Sequence, residues 1–154
     1  MGRIDARLAE LGITLPTPTT PVANYVPFVI TGDLVVISGQ IPMRDGKVAY
    51  TGKLGDAVPN EIGAQAAQLC AINVLAQLKV ACGGNLDRVT QVIRLGGFMA
   101  ATAEFTQHAT IMNGASDLMV AVFDDAGRHA RTTIGVPSLP FDAAVEVEGM
   151  FRIA

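Results

Sequence analysis

The chain has 154 residues, of which half are hydrophobic and only 16% charged, with a formal net charge of −3 and a sequence pI near 5.2. A chain of this length fits one domain that buries roughly two-thirds of its unfolded surface, and the apolar excess excludes disorder and favours self-association. The acidic balance, with no run of Lys or Arg interleaved with aromatics, makes RNA or DNA a poor partner.

The reading is a single domain over residues 1–154, with 1–21 forming an N-terminal helix and a proline-rich extension. Ile4, Leu8 and Leu11 fall at helical spacing before Gly12, which predicts a short amphipathic helix over 3–11. TLPTPTTPV follows. Its prolines remove backbone donors and fix φ, so this stretch is expected to run extended across a surface.

From Tyr25, YVPFVITGDLVVISGQIP contains two β-rich runs separated by Gly32 and Asp33 and reads as a hairpin. RDGK at 44–47 is a second turn before a short strand at Val48–Tyr50. The next block opens with Pro59 and closes with Gly83 and Gly84. Between them Ile62, Ala66, Leu69, Asn73, Ala76 and Val80 recur at helical steps, so 59–84 holds the long helix. The β-branched run at 88–100 predicts a central strand, and a second helix is expected over Phe105–Phe123. Two strands, 131–136 and 143–152, flank the turn VPSLPFD. The order α-β-β-β-α-β-α-β-β implies an α+β fold, a mostly antiparallel mixed sheet with its two main helices on one face.

Cys70 and Cys82 fall in the same helix, which holds them about 18 Å apart, so they are expected as reduced, buried thiols. The N-terminus has no apolar core of a leader, and no window approaches 18 apolar residues in a row. The expectation is a cytoplasmic protein without a membrane partner.

The chemistry gathers near the C-terminus, in ARTTIGVPSLPFDAAVEVE. If the last two strands pair around the turn, Arg131 and Glu146 are equidistant from the Ser138–Leu139 bond and become cross-strand neighbours. In that register Ile134, Val136, Val145 and Val147 share the helix face. Arg131, Thr133, Ala144, Glu146 and Glu148 share the other. Two readings follow. The pair is either an exposed ion pair worth roughly 0–1 kcal/mol, or a site in which the guanidinium binds a carboxylate and Glu146 handles a water.

RTTIGVPSLPFDAAVEVE resembles the closing signature of the RidA family, also called YjgF or endoribonuclease L-PSP, and VVISGQIP resembles its S-G-Q-x-P segment. The similarity spans roughly residues 22–152, and GRHA before the arginine looks like a longer-chain subgroup. The resemblance implies a chorismate-mutase-like fold, a homotrimer with sites between subunits, no metal and no organic cofactor. It implies hydrolysis of enamines or imines such as 2-aminoacrylate to 2-keto acids and ammonia. By motif position, Arg131 would hold the substrate carboxylate and Glu146 would position water. Tyr25, Ser38 and Gly39 would line the cleft from the neighbouring subunit. Asn113 resembles the family's asparagine before the second helix. Thr133 stands where many members carry a cysteine.

Two other readings of the same cleft remain: a non-catalytic trimer that binds a small carboxylate or keto acid, and an RNA-cleaving translation inhibitor. Among the other candidates, His129 is either solvent-exposed or a contact in the Arg131 cleft. His108 lacks ligand partners, and neither histidine forms a zinc set with the cysteines. Ser138 is a turn residue, whereas Ser38 either caps its turn or contacts substrate. Gly96 and Gly97 mark close backbone packing or a bulge. Met99, Met112, Met119 and Met150 are core or interface filler.

Overall fold

Pro59 and the paired glycines bracket the long helix as its sequence anticipates. In the computed structural model, which describes residues 1–18 and 23–154, α2 runs Asn60–Ala81 behind Pro59. The chain leaves it through Gly83 (φ 65°) and Gly84 (φ 91°), conformations that only glycine adopts readily. The buried arc differs from the predicted stripe. Ala66, Ala67, Cys70, Ala71, Val74, Leu75 and Leu78 are enclosed, while Ile62 and Val80 are 36% and 53% exposed. A four-residue step drifts off a 3.6-residue turn, and α2 is enclosed on two sides, by the sheet and by the second long helix.

The other elements lie close to their predicted places. Helix α1 covers Arg3–Glu10. Strands β1 (Phe28–Thr31) and β2 (Leu34–Gln40) form the hairpin, Thr31 opposite Leu34 across Gly32 (φ 59°) and Asp33. The RDGK turn joins β3 (Met43–Arg44) to β4 (Lys47–Val48). The strand expected at 48–50 is therefore only two residues and starts one earlier. Then follow β5 (Val89–Ala100), α3 (His108–Phe123), β6 (Ala130–Val136) and β7 (Val145–Ile153). The expected extended run is free of helix and strand as far as Pro18, and residues 19–22 lie outside the described residues.

The pairing of the last two strands overturns the hairpin expectation. The five-stranded sheet has the order β1-β2-β7-β5-β6. Strand β6 runs parallel to β5, and β7 lies antiparallel between β2 and β5. Helix α3 carries the chain from β5 back alongside it, a β-α-β crossover that seats β6 at the sheet edge. The segment between β6 and β7 does not fold back as a tight turn. Phe141 and Asp142 both have positive φ (57° and 59°). Gly52 N–H donates to Asp142 O and Ala144 N–H to Tyr50 O, which ties this segment across to residues 50–52.

This topology also reassigns the faces. Val35, Ile37, Leu95, Met99, Val145, Val147 and Phe151 pack under α2 and α3 as the core. Arg131 lies opposite Leu95, and Thr133 opposite Gly97, so both share the helix face. Glu146 and Ile134 flank Phe98, and Glu148 flanks Gly96, all on the opposite face. Val145 and Val147 were placed correctly, but Ile134 is 46% exposed with its side of the sheet uncovered. The helices meet closely: a Cβ added to Gly114 of α3 would overlap the Ala64 carbonyl of α2. Asp87 caps α1 from outside, accepting the Arg3 and Ile4 amides at 2.8 Å each, and Lys79 pairs with Asp5 at 2.8 Å. No helix among the described residues is long and apolar enough to cross a membrane.

Candidate functional site

From its place on the edge strand, Arg131 reaches onto the surface of α3. Its Nη1 donates to Asn113 Oδ1 (2.9 Å) and Ser116 Oγ (3.1 Å), and Nη2 donates to the Ala109 carbonyl (3.5 Å). Helical geometry explains the grouping: residues 109, 113 and 116 are four and three apart and share one face. Asn113 lies inside α3, as the helix expected over Phe105–Phe123 requires, although the family asparagine that it resembles precedes the second helix. Ser116 Oγ is 2.9 Å from His129 Nε2, and His129 Nδ1 is 2.6 Å from the Gly127 carbonyl. Thr133 Oγ1 donates to Met99 Sδ (3.0 Å) on the same face.

Glu146 belongs to a second cluster, on the open face. Strands β2 and β7 pair Ile37 with Gly149 and Gln40 with Val147, so Ser38 and Gly39 together oppose Glu148 in a β-bulge. The bulge brings Gly39 under Glu146, and a Cβ on Gly39 would overlap Glu146 Oε1. Ser38 gives its amide to Pro27 O (2.9 Å) and its hydroxyl to Val26 O (2.7 Å). The Ser38 hydroxyl thereby ties down the segment that follows Tyr25. The Tyr25 side is open, 58% exposed.

Burial, and then the neighbouring Glu148 charge, raises the Glu146 carboxyl pKa above its ordinary value. Glu148 itself lies 3.7 Å from Arg94 Nη1. Beneath this cluster Cys70 Sγ donates to Val145 O at 3.4 Å. Burial first and the Glu146 charge second push that thiol well up, so it is an inert neutral group.

Arg131 and Glu146 are thus not cross-strand neighbours. They stand two strands and three residues apart, about 14 Å between backbones, with side chains on opposite faces of the sheet. Asn113 and Thr133 accompany Arg131; Gly39, Ser38 and the Tyr25 segment accompany Glu146. His129 belongs to the arginine cluster, whereas His108 stacks edge-on against Phe105 at 5.1 Å. Gly96 and Gly97 are close approaches, the first to Glu148 and the second to Met112. Among the described residues no three His, Cys, Asp or Glu gather as metal ligands. Concavities of up to about 870 Å³ between residues 11–18 and α2 contain neither Arg131 nor Glu146. Ser116 and the Ala109 carbonyl were missed in the sequence. Their spacing to Asn113 is the signal that marks them once the helix start is fixed at 108.

Compared with known proteins, the sequence matches the family described as "YjgF/chorismate_mutase-like, putative endoribonuclease" over residues 5–151. The chain belongs to the RidA/YjgF family. Within it, this RidA-family protein is 42% identical to Protein TCP17 of Trypanosoma cruzi over 153 residues, covering 99% of this chain and 95% of that one. The crystal structure of Atu1372 from Agrobacterium tumefaciens, described as of unknown function, is 47% identical with a TM-score of 0.93, covering 98% and 92% of the two chains. A structure from Shewanella oneidensis described as a "putative endoribonuclease" is 35% identical with a TM-score of 0.94, covering 97% and 99%. The mixed, mostly antiparallel sheet with its helices on one face is the RidA/YjgF fold.

Proposed function

We propose that this protein hydrolyses small carboxylate-bearing enamines or imines of the 2-aminoacrylate type to 2-keto acids and ammonia. The observation that carries the reading is the state of the Arg131 guanidinium. Asn113, Ser116 and Ala109 engage Nη1 and one Nη2 hydrogen. That leaves Nε–H without an acceptor among the described residues, and Nε with Nη2 forms the side-on edge that matches a carboxylate through two parallel hydrogen bonds.

An enamine first takes a proton from solvent at its methylene carbon and loses one from nitrogen, which makes it the imine. Water then adds to the C=N carbon as Glu146 takes its proton and solvent protonates the nitrogen. Glu146 passes its proton to the carbinolamine nitrogen, the hydroxyl gives its proton to solvent, and the C–N bond breaks to release ammonia and leave the ketone. A carboxylate whose pKa burial and Glu148 have raised suits the role of base at neutral pH. No cofactor or metal enters this scheme.

Because the two clusters lie on opposite faces of one sheet, a complete site takes Arg131, Asn113 and Thr133 from one copy. Glu146, Gly39, Ser38 and Tyr25 come from a neighbour. A homotrimer closed head to tail accommodates this, since such an interface joins two different patches of the same chain. Val29, Val36 and Ile134 on the open face and Phe141, 80% exposed, supply apolar surface for it.

Purified protein should accelerate 2-imino acid hydrolysis in a coupled assay and Arg131→Ala should remove that gain; equal rates in the two proteins refute the reading. Light scattering should return three times the chain mass. A second reading rests on the separation of Glu146 from Arg131 within one chain: a cleft that binds a 2-keto acid without turning over imines. It predicts saturable binding that Arg131→Ala abolishes and no rate gain in the wild type.

A further inference from the structure

Arg131 would be a long, mobile cation on an edge strand if nothing held it, and the side chains that hold it form an ordered chain of donors. Its last link is the Gly127 carbonyl, which can only accept, so His129 Nδ1 carries the hydrogen across their 2.6 Å contact. In the neutral ring Nε2 is then an acceptor, and the Ser116 hydroxyl donates to it at 2.9 Å. With its hydrogen so committed, Ser116 Oγ turns its lone pairs toward Arg131 Nη1, 3.1 Å away. Each group has one available direction, and the directions agree.

The anchor is rigid. A Cβ at Gly127 would overlap the Met119 carbonyl, so the turn carrying the terminal acceptor is packed onto α3. A helical serine without such a partner turns its hydroxyl back to the carbonyl four residues earlier, here Met112, and away from the arginine. His129 therefore decides which way Ser116 points, and Ser116 joins Asn113 in holding Nη1. Ser116 and Asn113 both accept from Nη1, the nitrogen on the far side of the guanidinium from Nε–H, so the edge left for a ligand is Nε with Nη2.

We infer that Ser116 and His129 are positioning residues for Arg131, presenting its side-on edge to a carboxylate ligand. The inference rests on the proposed role of Arg131 for the identity of the ligand, and on the structure alone for the positioning.

Nitrogen NMR of the arginine side chains tests the positioning without any ligand, with the Arg131 signals assigned by their loss in Arg131→Lys. A held guanidinium rotates slowly and shows resolved Nη signals. These should persist in the wild type and in Ser116→Thr, which keeps a hydroxyl, and should average in Ser116→Ala and His129→Phe at unchanged melting temperature. Resolved Nη signals in both Ser116→Ala and His129→Phe overturn the inference. Pyruvate titration is the second arm: loss of one charge-assisted hydrogen bond should weaken binding by about tenfold in Ser116→Ala, with Ser116→Thr near wild type. Equal pyruvate affinity in wild type and Ser116→Ala overturns the presentation of that edge. If the signals respond as expected but the wild type binds no pyruvate, the positioning stands and the carboxylate reading of Arg131 falls.

Discussion

Replacing Gly39 with alanine tests whether the β2 bulge, rather than a pairing with Arg131, is what places Glu146. Gly39 has no positive φ, so alanine meets no backbone strain there. The new methyl would overlap Glu146 Oε1 and lie 3.0 Å from its Cδ and 3.2 Å from its Cγ. These atoms are the end of a flexible side chain, so the carboxylate swings aside instead of the strands separating. An off-rotamer glutamate costs about 0.5–1.5 kcal/mol. For 154 residues the unfolding entropy is about 0.3 kcal/mol per degree, so the melting temperature should fall by only about 2–5 °C.

The catalytic effect should be much larger. If Glu146 handles the water as proposed, displacing it by about 1 Å costs on the order of 100-fold in rate, and it should appear in kcat. Pyruvate affinity, which in the proposed site rests on Arg131, should fall far less than kcat. The assays are coupled imine hydrolysis, calorimetric melting and pyruvate titration on Gly39→Ala. A kcat within twofold of wild type would refute the placement of Glu146 over the bulge. So would a drop above 10 °C, since it would mean that backbone yields and not the side chain.

Gly114→Ala should destabilise the protein by about 1–3 kcal/mol in urea unfolding, because the methyl meets the Ala64 carbonyl and overpacking outweighs alanine's helix preference; a stabilised variant would contradict the close helix crossing. Glu146→Gln should stabilise the protein at pH 7 and leave it level with wild type near pH 4. The raised folded pKa means that the carboxyl's contribution is complete below the unfolded pKa and is lost as pH rises through the folded one; a difference in melting temperature that does not change with pH counts against this. Asp87 behaves in the opposite sense. Its carboxyl is held below the ordinary value by the Ile4 amide, then the Arg3 amide, so its support of α1 is present above the unfolded pKa and fades as pH falls through the folded one. Asp87→Asn should speed hydrogen exchange at residues 3–8 at neutral pH, and unchanged protection there would remove Asp87 as the cap.

Local chemistry made most of the elements legible in the sequence. Pro59 and the Gly83–Gly84 pair bound a helix because they act on their own backbone, and Gly32–Asp33 turns a hairpin for the same reason. The family signature likewise sits in contiguous residues, so Arg131 and Glu146 could be singled out without knowing what surrounds them. Strand pairing is a different kind of information. Whether β6 turns back on β7 or docks beside β5 depends on where α3 packs, on the left-handed pair Phe141–Asp142, and on tethers to residues 50–52. Symmetry about the Ser138–Leu139 bond carries none of that. Because a strand's faces alternate, that one pairing also decided which face received Arg131. The sequence by itself determined the helices and most of the strands, and it singled out two charged residues. Only the tertiary structure decided that these two lie on opposite faces, because packing of α3 against α2 and the sheet inserts β5 and β7 into an order that no local signal encodes.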